Sequence, residues 1–180
     1  MNAKVKAKEL YSNWDLLGVI LSNWRTDLVI KHLPEGTFLD LACGDNRLVK
    51  KLGRGIGIDI SNYGGSADMV LPDFSKLPFE KNSINAVTVL AAFNYFDQPV
   101  SVLKEIRRVL SDDGCLIITQ LDHRISKAWH QLRDRGLVRT AYSDQQLQEM
   151  FTAADLRIDV KERFMLGLNK VFVVRKKLKV

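Results

Sequence analysis

Short apolar runs alternate along the chain with segments in which apolar residues recur every three or four positions. The runs are TFLDLA (37–42), GIGIDI (55–60), DMVL (68–71), INAVTVLAAF (84–93) and CLIITQL (115–121), and they read as buried strands. Between them, RLVKKL, PVSVLKEIRRVL and SDQQLQEMFTAAD follow the helical period. The last opens with Ser143 as N-cap and Gln146 in the capping-box position. Residues 3–33 also read as helical, with Trp14, Leu17, Leu21, Trp24 and Leu28 on one face, until Pro34, Glu35 and Gly36 break the pattern. Asp112, Asp113 and Gly114 read as the turn ending the helix before the fifth strand, and a polar helical stretch, RISKAWHQLRDRG, follows that strand. The chain closes on LRIDVKERF and KVFVVRKK joined by MLGLN, a hairpin signature.

Strands separated mostly by helices predict an open α/β sheet, largely parallel, with the final strand antiparallel. No internal repeat, low-complexity segment or Pro/Gly/Ser linker divides the chain, so residues 1–180 read as one domain. A chain of 180 residues with 46% hydrophobic and 27% charged residues can bury a sizeable core. No apolar run approaches the roughly 18 residues that span a membrane, so no membrane partner is expected. The start, MNAKVKAKELYSNW, lacks an apolar signal region, and a cytoplasmic location is expected. Cys43 and Cys115 lie in apolar segments without ligand-like spacing; they read as reduced core residues, and no metal is expected. The net charge of +6 allows an acidic or nucleic-acid partner, but KVKAK and RKKLK concentrate it at the two ends, where solvated termini are the simpler account.

The stretch FLDLACGDNRLVKKL (38–52) sets Asp40, Gly44, Asp45 and Asn46 where the first strand turns into a helix. Ligands of open α/β sheets bind at the carboxyl ends of the strands. A dinucleotide would need G-x-G-x-x-G there, and its pyrophosphate would meet two carboxylates instead. A cationic ligand with an adenosine that needs close backbone approach suits A-C-G-D-N better.

Four features in collinear order carry a resemblance. They are Asp40-Leu41-Ala42-Cys43-Gly44; Gly57-Ile58-Asp59-Ile60-Ser61; Leu71-Pro72-Asp73-Phe74-Ser75-Lys76-Leu77-Pro78-Phe79 followed by Asn82 to Val87; and Leu103 to Leu110 with Gly114. Over residues 36–176 the chain resembles a compact class I S-adenosylmethionine-dependent methyltransferase acting on small molecules. The resemblance implies a seven-stranded Rossmann-like sheet of order 3-2-1-4-5-7-6 with the last strand antiparallel. It divides the domain into an N-terminal helical cap (1–33), a cofactor-binding half (34–120) and a substrate-side insertion with the closing hairpin (121–180). It implies S-adenosylmethionine as cofactor, with S-adenosylhomocysteine as product, and a cofactor site made of Asp40, Ala42, Gly44, Asn46, Asp59, Ile60, Asp73, Phe74 and Ala91. In that reading Asp40 holds the methionine ammonium and Asp59 the ribose hydroxyls. Asp73 accepts from the adenine amino group beside the Phe74 N–H, and Ala91 and Ala92, ending the fourth strand, leave room for the methionine. Taken alone, Asp59 could be a strand-ending surface carboxylate and Asp73 a turn aspartate after Pro72.

Methyl transfer asks for alignment and exclusion of water, with an acid–base group only where the acceptor must lose a proton. Tyr95, Asp122 and His123 are the candidates for such a group, although Asp122 and His123 also fit a polar loop with a helix cap. Tyr11, Trp14, Asn94, Tyr95, Trp129 and Tyr142 are candidate acceptor walls, with His130 beside them, while aromatic residues at helical spacing also fit a core. The N-P-P-Y type of motif is absent, which disfavours a base amine, so a small molecule is the first expectation and RNA the second. A catalytically silent S-adenosylmethionine-binding or scaffold module and a nicotinamide-dependent oxidoreductase are the alternatives outside the class.

Two departures from the family stand out. Ala42 and Asn46 replace the first and third loop glycines, and only SNYGGSADM separates the second and third strands, where a helix is usual. Some of Ile56, Ile58, Ile60, Met69 and Leu71 should then need another cover. The N-terminal helix is one choice, with Trp14 and Trp24 against the second strand; a homodimer is the expected one.

Overall fold

The computed structural model describes residues 16–62, 65–132 and 141–177, with side chains described from 22 to 128 and from 141 to 177 within those ranges. The elements in chain order are α1 (Leu16–His32), β1 (Phe38–Leu41), α2 (Arg47–Leu52), β2 (Ile56–Asp59), β3 (Met69–Val70), β4 (Ile84–Leu90), a 3-10 turn (Phe93–Tyr95), α3 (Pro99–Val109), β5 (Leu110–Leu121), α4 (His123–Leu132), α5 (Asp144–Ala153), β6 (Leu156–Phe164) and β7 (Asn169–Lys176). They form one seven-stranded sheet of order β3-β2-β1-β4-β5-β7-β6. Neighbours from β3 to β5 pair in parallel, and β7 inserts antiparallel between β5 and β6. This is the expected topology.

Local chemistry sets the element ends. Pro99 opens α3, where a missing N–H costs nothing. Ser143 and Gln146 form the reciprocal capping box of α5, each side chain accepting from the other's backbone N–H. Gly53 closes α2 in the left-handed conformation, its N–H donating to the Val49 carbonyl at 2.9 Å.

The sheet separates two apolar layers. One joins Leu39, Leu41, Ile58, Val87, Val89, Leu116 and Ile118 to the apolar faces of α3 and α5. The other joins Phe38, Ala86, Cys115, Ile117, Val171 and Val173 to Val29 of α1 and Leu48 of α2. Strand alternation decides which residues need covering beside the short β2–β3 connection. Ile56, Ile58 and Ile60 share one parity, leaving Gly57 and Asp59 for the layer of α1 and α2. Ile58 is fully buried within the chain, Ile56, Met69 and Leu71 pack partly buried against the first layer, and Ile60 borders a cavity. On the face beside the connection, Val70 is the apolar side chain of β2 and β3 that stays largely exposed, so the packing argument for a homodimer loses most of its force.

Three other expectations change. The turn expected at 112–114 is part of β5: Leu110 already pairs with Ile84, and the register jumps so that Cys115 pairs with Ala86. β4 ends at Leu90, because Ala91 takes a left-handed backbone (φ 55°), fixed by its N–H donating to the Thr119 carbonyl and Oγ1. On α1 the inward residues are Thr26 and Val29, while Trp24 stays 49% exposed. Residues 3–15 of the expected helix, with Tyr11 and Trp14, lie outside the described residues.

Candidate active site

The carboxyl ends of β1, β2 and β4 open onto a cavity of about 770 Å³, closed on one side by α1. The loop after β1 turns sharply beneath it. Ala42, Gly44 and Asn46 all have φ near +58°, a conformation that glycine takes freely and asparagine tolerates, but that costs alanine about 1–2 kcal/mol. The Asn46 N–H donates to the Cys43 carbonyl at 2.9 Å and closes the turn.

Two buried carboxylates face each other across this turn. Asp59, at the end of β2, accepts the Gly44 N–H through Oδ2 at 2.9 Å, leaving Oδ1 with only a long 3.4 Å contact from the Ser61 N–H. Asp40 is 3% exposed and accepts from the Thr88 hydroxyl at 2.6 Å. Burial above all, and then the charges of Asp59 and Asp45, push its pKa up to about 7 against the opposing effect of that hydrogen bond. Burial, and then the charges of Asp40, Asp59 and Asp68, push the Cys43 thiol up to about 12, so the cysteine in the loop is inert as a nucleophile.

Opposite these acids stand Ser22, Arg25 and Thr26 of α1. The Arg25 Nε is buried with no hydrogen-bond partner, and no ion pair to its guanidinium is found among the described residues. Burial, then the charge of Arg47, lower its pKa from the usual arginine value. An arginine stays charged at neutral pH regardless, so its free Nε–H is a charged donor suited to an anionic group of a ligand.

The far wall is apolar and fixed. Phe74 is buried, and its ring meets Phe96 edge-on at 5.4 Å; Phe96 meets Phe93 at 5.6 Å, and Phe93 meets Tyr142 at 5.8 Å. The Ser75 side chain, and then its N–H, hydrogen-bond the exposed Asp73 and lower its pKa. Below this loop, Glu105 accepts the Leu77 N–H, and Arg108 donates to the Leu77 and Phe79 carbonyls and to Glu105.

The comparisons agree with this geometry. Residues 39–118 match the family described as "Methyltransferase domain". That segment is of the class I S-adenosylmethionine-dependent methyltransferase type. Among similar proteins is a demethylmenaquinone methyltransferase of Thermotoga maritima, 32% identical over 60% of this chain and 56% of that protein. The chain spans about half the length of the curated relatives it matches. Among solved structures, a Haloferax volcanii protein in complex with the Trm112 methyltransferase activator superposes with a TM-score of 0.73 at 19% identity, over 87% of this chain and 90% of that one. An S-adenosylmethionine-dependent methyltransferase of Thermotoga maritima gives 0.71 at 19% identity, over 85% and 88%.

Of the residues assigned to the cofactor from sequence, Asp40, Ala42, Gly44, Asp59, Ile60, Asp73, Phe74 and Ala91 border the cavity, and so does Tyr95. Asn46 lies behind it, its Nδ2 donating to the Ser66 carbonyl and to Asp68. Asp122 and His123 do not border it. Asp122 is tied to Lys170 at 2.8 Å and Arg163 at 3.3 Å, which suits an ion pair better than a base, and His123 Nδ1 stands 3.9 Å from it with no hydrogen-bond partner. Tyr142 and Asn94 are also absent from the lining; Tyr142 packs partly buried against the core and Asn94 is buried. The side chains of Trp129 and His130 lie outside the described residues. Sequence reading missed Arg25. Its only trace was the polar set Ser22, Arg25 and Thr26, which share one helical face.

Proposed function

We propose that the cavity binds S-adenosylmethionine and that the protein transfers its methyl group to an apolar small molecule. The observation that carries this is the arrangement of Arg25, whose buried Nε has no partner among the described residues, and two buried carboxylates, Asp40 and Asp59, around a cavity at the strand ends. The charges match an amino acid joined to a nucleoside. Asp40 would hold the ammonium, Arg25 the carboxylate, and the free oxygen of Asp59 the ribose. The Asp73 carboxylate and the Phe74 backbone would receive the adenine, and Ala42 and Ala91 leave the methionine side open.

The cofactor supplies an electrophilic methyl group on a sulfonium. The chain's own work is to orient the acceptor and exclude water, for which Leu90, Ala92, Phe96 and Val102 provide apolar walls. Partial burial raises the Tyr95 phenol above its usual value, so at neutral pH it is a hydrogen-bond donor that orients an acceptor rather than a base. The apolar walls favour a small molecule over RNA.

Calorimetry tests the reading. S-adenosylhomocysteine should bind and raise the melting temperature, and NAD should do neither. Asp59→Ala should weaken S-adenosylhomocysteine by roughly ten- to a hundredfold. Binding of NAD in preference to S-adenosylhomocysteine would overturn it.

A further inference from the structure

Apart from Trp24 on α1, the large apolar side chains left exposed among the described residues are gathered on one rim. Ile60 follows β2, Val70 ends β3, Tyr95 follows β4, Ile125 lies in the first turn of α4 just after β5, and Leu166 and Leu168 form the turn between β6 and β7. The first five strands run parallel and β7 starts opposite the end of β5, with Leu121 paired to Asn169. All six side chains therefore sit at the edge of the sheet onto which the cavity opens, and Ile60 and Tyr95 border the cavity itself.

The turn at 165–168 is built in an unusual way. Met165, Leu166 and Gly167 all take left-handed backbone, with φ of 51°, 55° and 82°. Two of the three are residues that do not favour this conformation. The strain achieves a division: Met165 is buried and receives the Asn169 amide on its sulfur, while Leu166 is 99% exposed. Nothing inside the fold is gained by a leucine there, since asparagine or glycine would make the same turn more easily.

The charge around this tip is positive. The Asp122 N–H donates to the Leu168 carbonyl at 2.7 Å, which ties the start of α4 to the turn. Arg124 and Lys127 on α4 are exposed, and Arg163 beside the turn is more than half exposed. Among the described residues, the buried or half-buried acids nearby are already paired, Asp122 with Lys170 and Arg163 and Asp144 with Lys161 and Lys170, while Glu162 lies 3.5 Å from His32. An exposed leucine tip flanked by cations fits the boundary between acyl chains and anionic headgroups, where a weak apolar anchor and a basic patch bind together although neither suffices alone.

We propose that this crest docks the protein on an anionic phospholipid surface, with the cavity mouth facing the lipid. Among the described residues no helix is long and apolar enough to cross a membrane, so the contact is a reversible one at the surface. Docking does not depend on methyl transfer. The methyltransferase reading adds only that an apolar acceptor would reach the cavity directly from the lipid phase.

Flotation with vesicles tests it, comparing equal parts of phosphatidylglycerol and phosphatidylcholine with phosphatidylcholine alone. The protein should float with the anionic vesicles and be released by salt. The double variant Leu166→Asp with Leu168→Asp should lower the partition at least about tenfold, because it removes the apolar anchor. Arg124→Glu with Lys127→Glu should do the same on anionic vesicles, by roughly tenfold or more. Both variants should keep the wild-type melting temperature and affinity for S-adenosylhomocysteine, since the changed residues are exposed and outside the cavity lining. Failure of the wild-type protein to float, or flotation indifferent to both variants, would overturn the proposal. So would a wild-type dimer that the leucine variant dissociates without any vesicle binding, which would make the occupant a second copy. Loss of S-adenosylhomocysteine binding in the wild-type protein would sink the methyltransferase reading and leave the docking result standing.

Discussion

Asn46 fills the space that a side chain on Gly57 would need. A Cβ on Gly57 would stand 1.9 Å from Asn46 Oδ1, and Asn46 cannot easily withdraw because its Nδ2 donates to the Ser66 carbonyl and to Asp68, each at 2.9 Å. The same Asp68 oxygen accepts the Gly57 N–H at 2.7 Å. The loop after β1 is thereby locked to the connection after β2. Gly57→Ala should cost about 1–3 kcal/mol of stability through overpacking. Asn46→Gly removes the obstruction, so the double variant should lose less than the sum of the two. Denaturant unfolding of the four proteins measures this, and strict additivity would show that the two residues do not compete for the space.

Asp40 predicts a pH dependence. Its pKa in the folded protein, about 7, lies above the ordinary value of 3.8. The contribution of its neutral form to stability is therefore fully present below about pH 4 and is lost as the pH rises through 7. A bound ammonium needs the ionised form, so the affinity for S-adenosylhomocysteine should fall as the pH drops below 7, by up to about tenfold per unit. Asp40→Asn should bind more weakly and without this break. A flat wild-type profile from about pH 5.5 to 8, where an unshifted carboxylate would already be ionised, would remove Asp40 from the ammonium site.

Arg25 predicts a difference between two ligands. Arg25→Gln should weaken S-adenosylhomocysteine by roughly ten- to a hundredfold, as expected for loss of a charged hydrogen bond. The decarboxylated amine S-adenosyl-3-thiopropylamine should bind equally to both proteins. Equal losses for the two ligands, measured by calorimetry, would make Arg25 a structural residue.

Lys170 is 2% exposed and bridges Asp122 at 2.8 Å and Asp144 at 2.6 Å. Lys170→Met leaves the buried Asp122 carboxylate with only the more distant, exposed Arg163 and should cost about 3 kcal/mol at neutral pH. Asp122 and Asp144 both have lowered pKa values, through Lys170 and Arg163 for the one and Lys161 and Lys170 for the other, against a desolvation that acts the opposite way. Their contribution is present above the ordinary carboxylate pKa and fades as the pH falls below it. The gap between variant and wild type should therefore narrow in acid. A gap that is constant down to about pH 3 would mean that the cost is packing alone.

The topology was legible because apolar runs, helical periods and a closing hairpin all point to one sheet order. The cofactor acids were legible because Asp40 and Asp59 end strands. The parity of β2 was equally available and was overlooked: Ile56, Ile58 and Ile60 share a face, so Gly57 and Asp59 are what β2 turns toward the side of the missing helix. Trp24 misled because aromatic residues at helical spacing suggest burial, whereas α1 turns Thr26 and Val29 inward. The use of Arg25 depends on how α1 crosses the end of β1, and the use of Asp122 on a lysine from β7. Neither juxtaposition is written in local sequence.

The edge-on series Phe74, Phe96, Phe93 and Tyr142 joins the loop assigned to the adenine to the residue just before the cap of α5. Each inner ring is gripped by two neighbours, so a change of size at Phe93 or Phe96 shifts both ends of the row. A lineage of this protein that altered its acceptor by remodelling these rings would disturb its hold on the cofactor in the same step. New acceptors are more accessible through Leu90, Ala92 or the α1 face, which border the cavity without belonging to the row. Directed evolution for altered acceptor range should accumulate its changes there and leave the four rings intact.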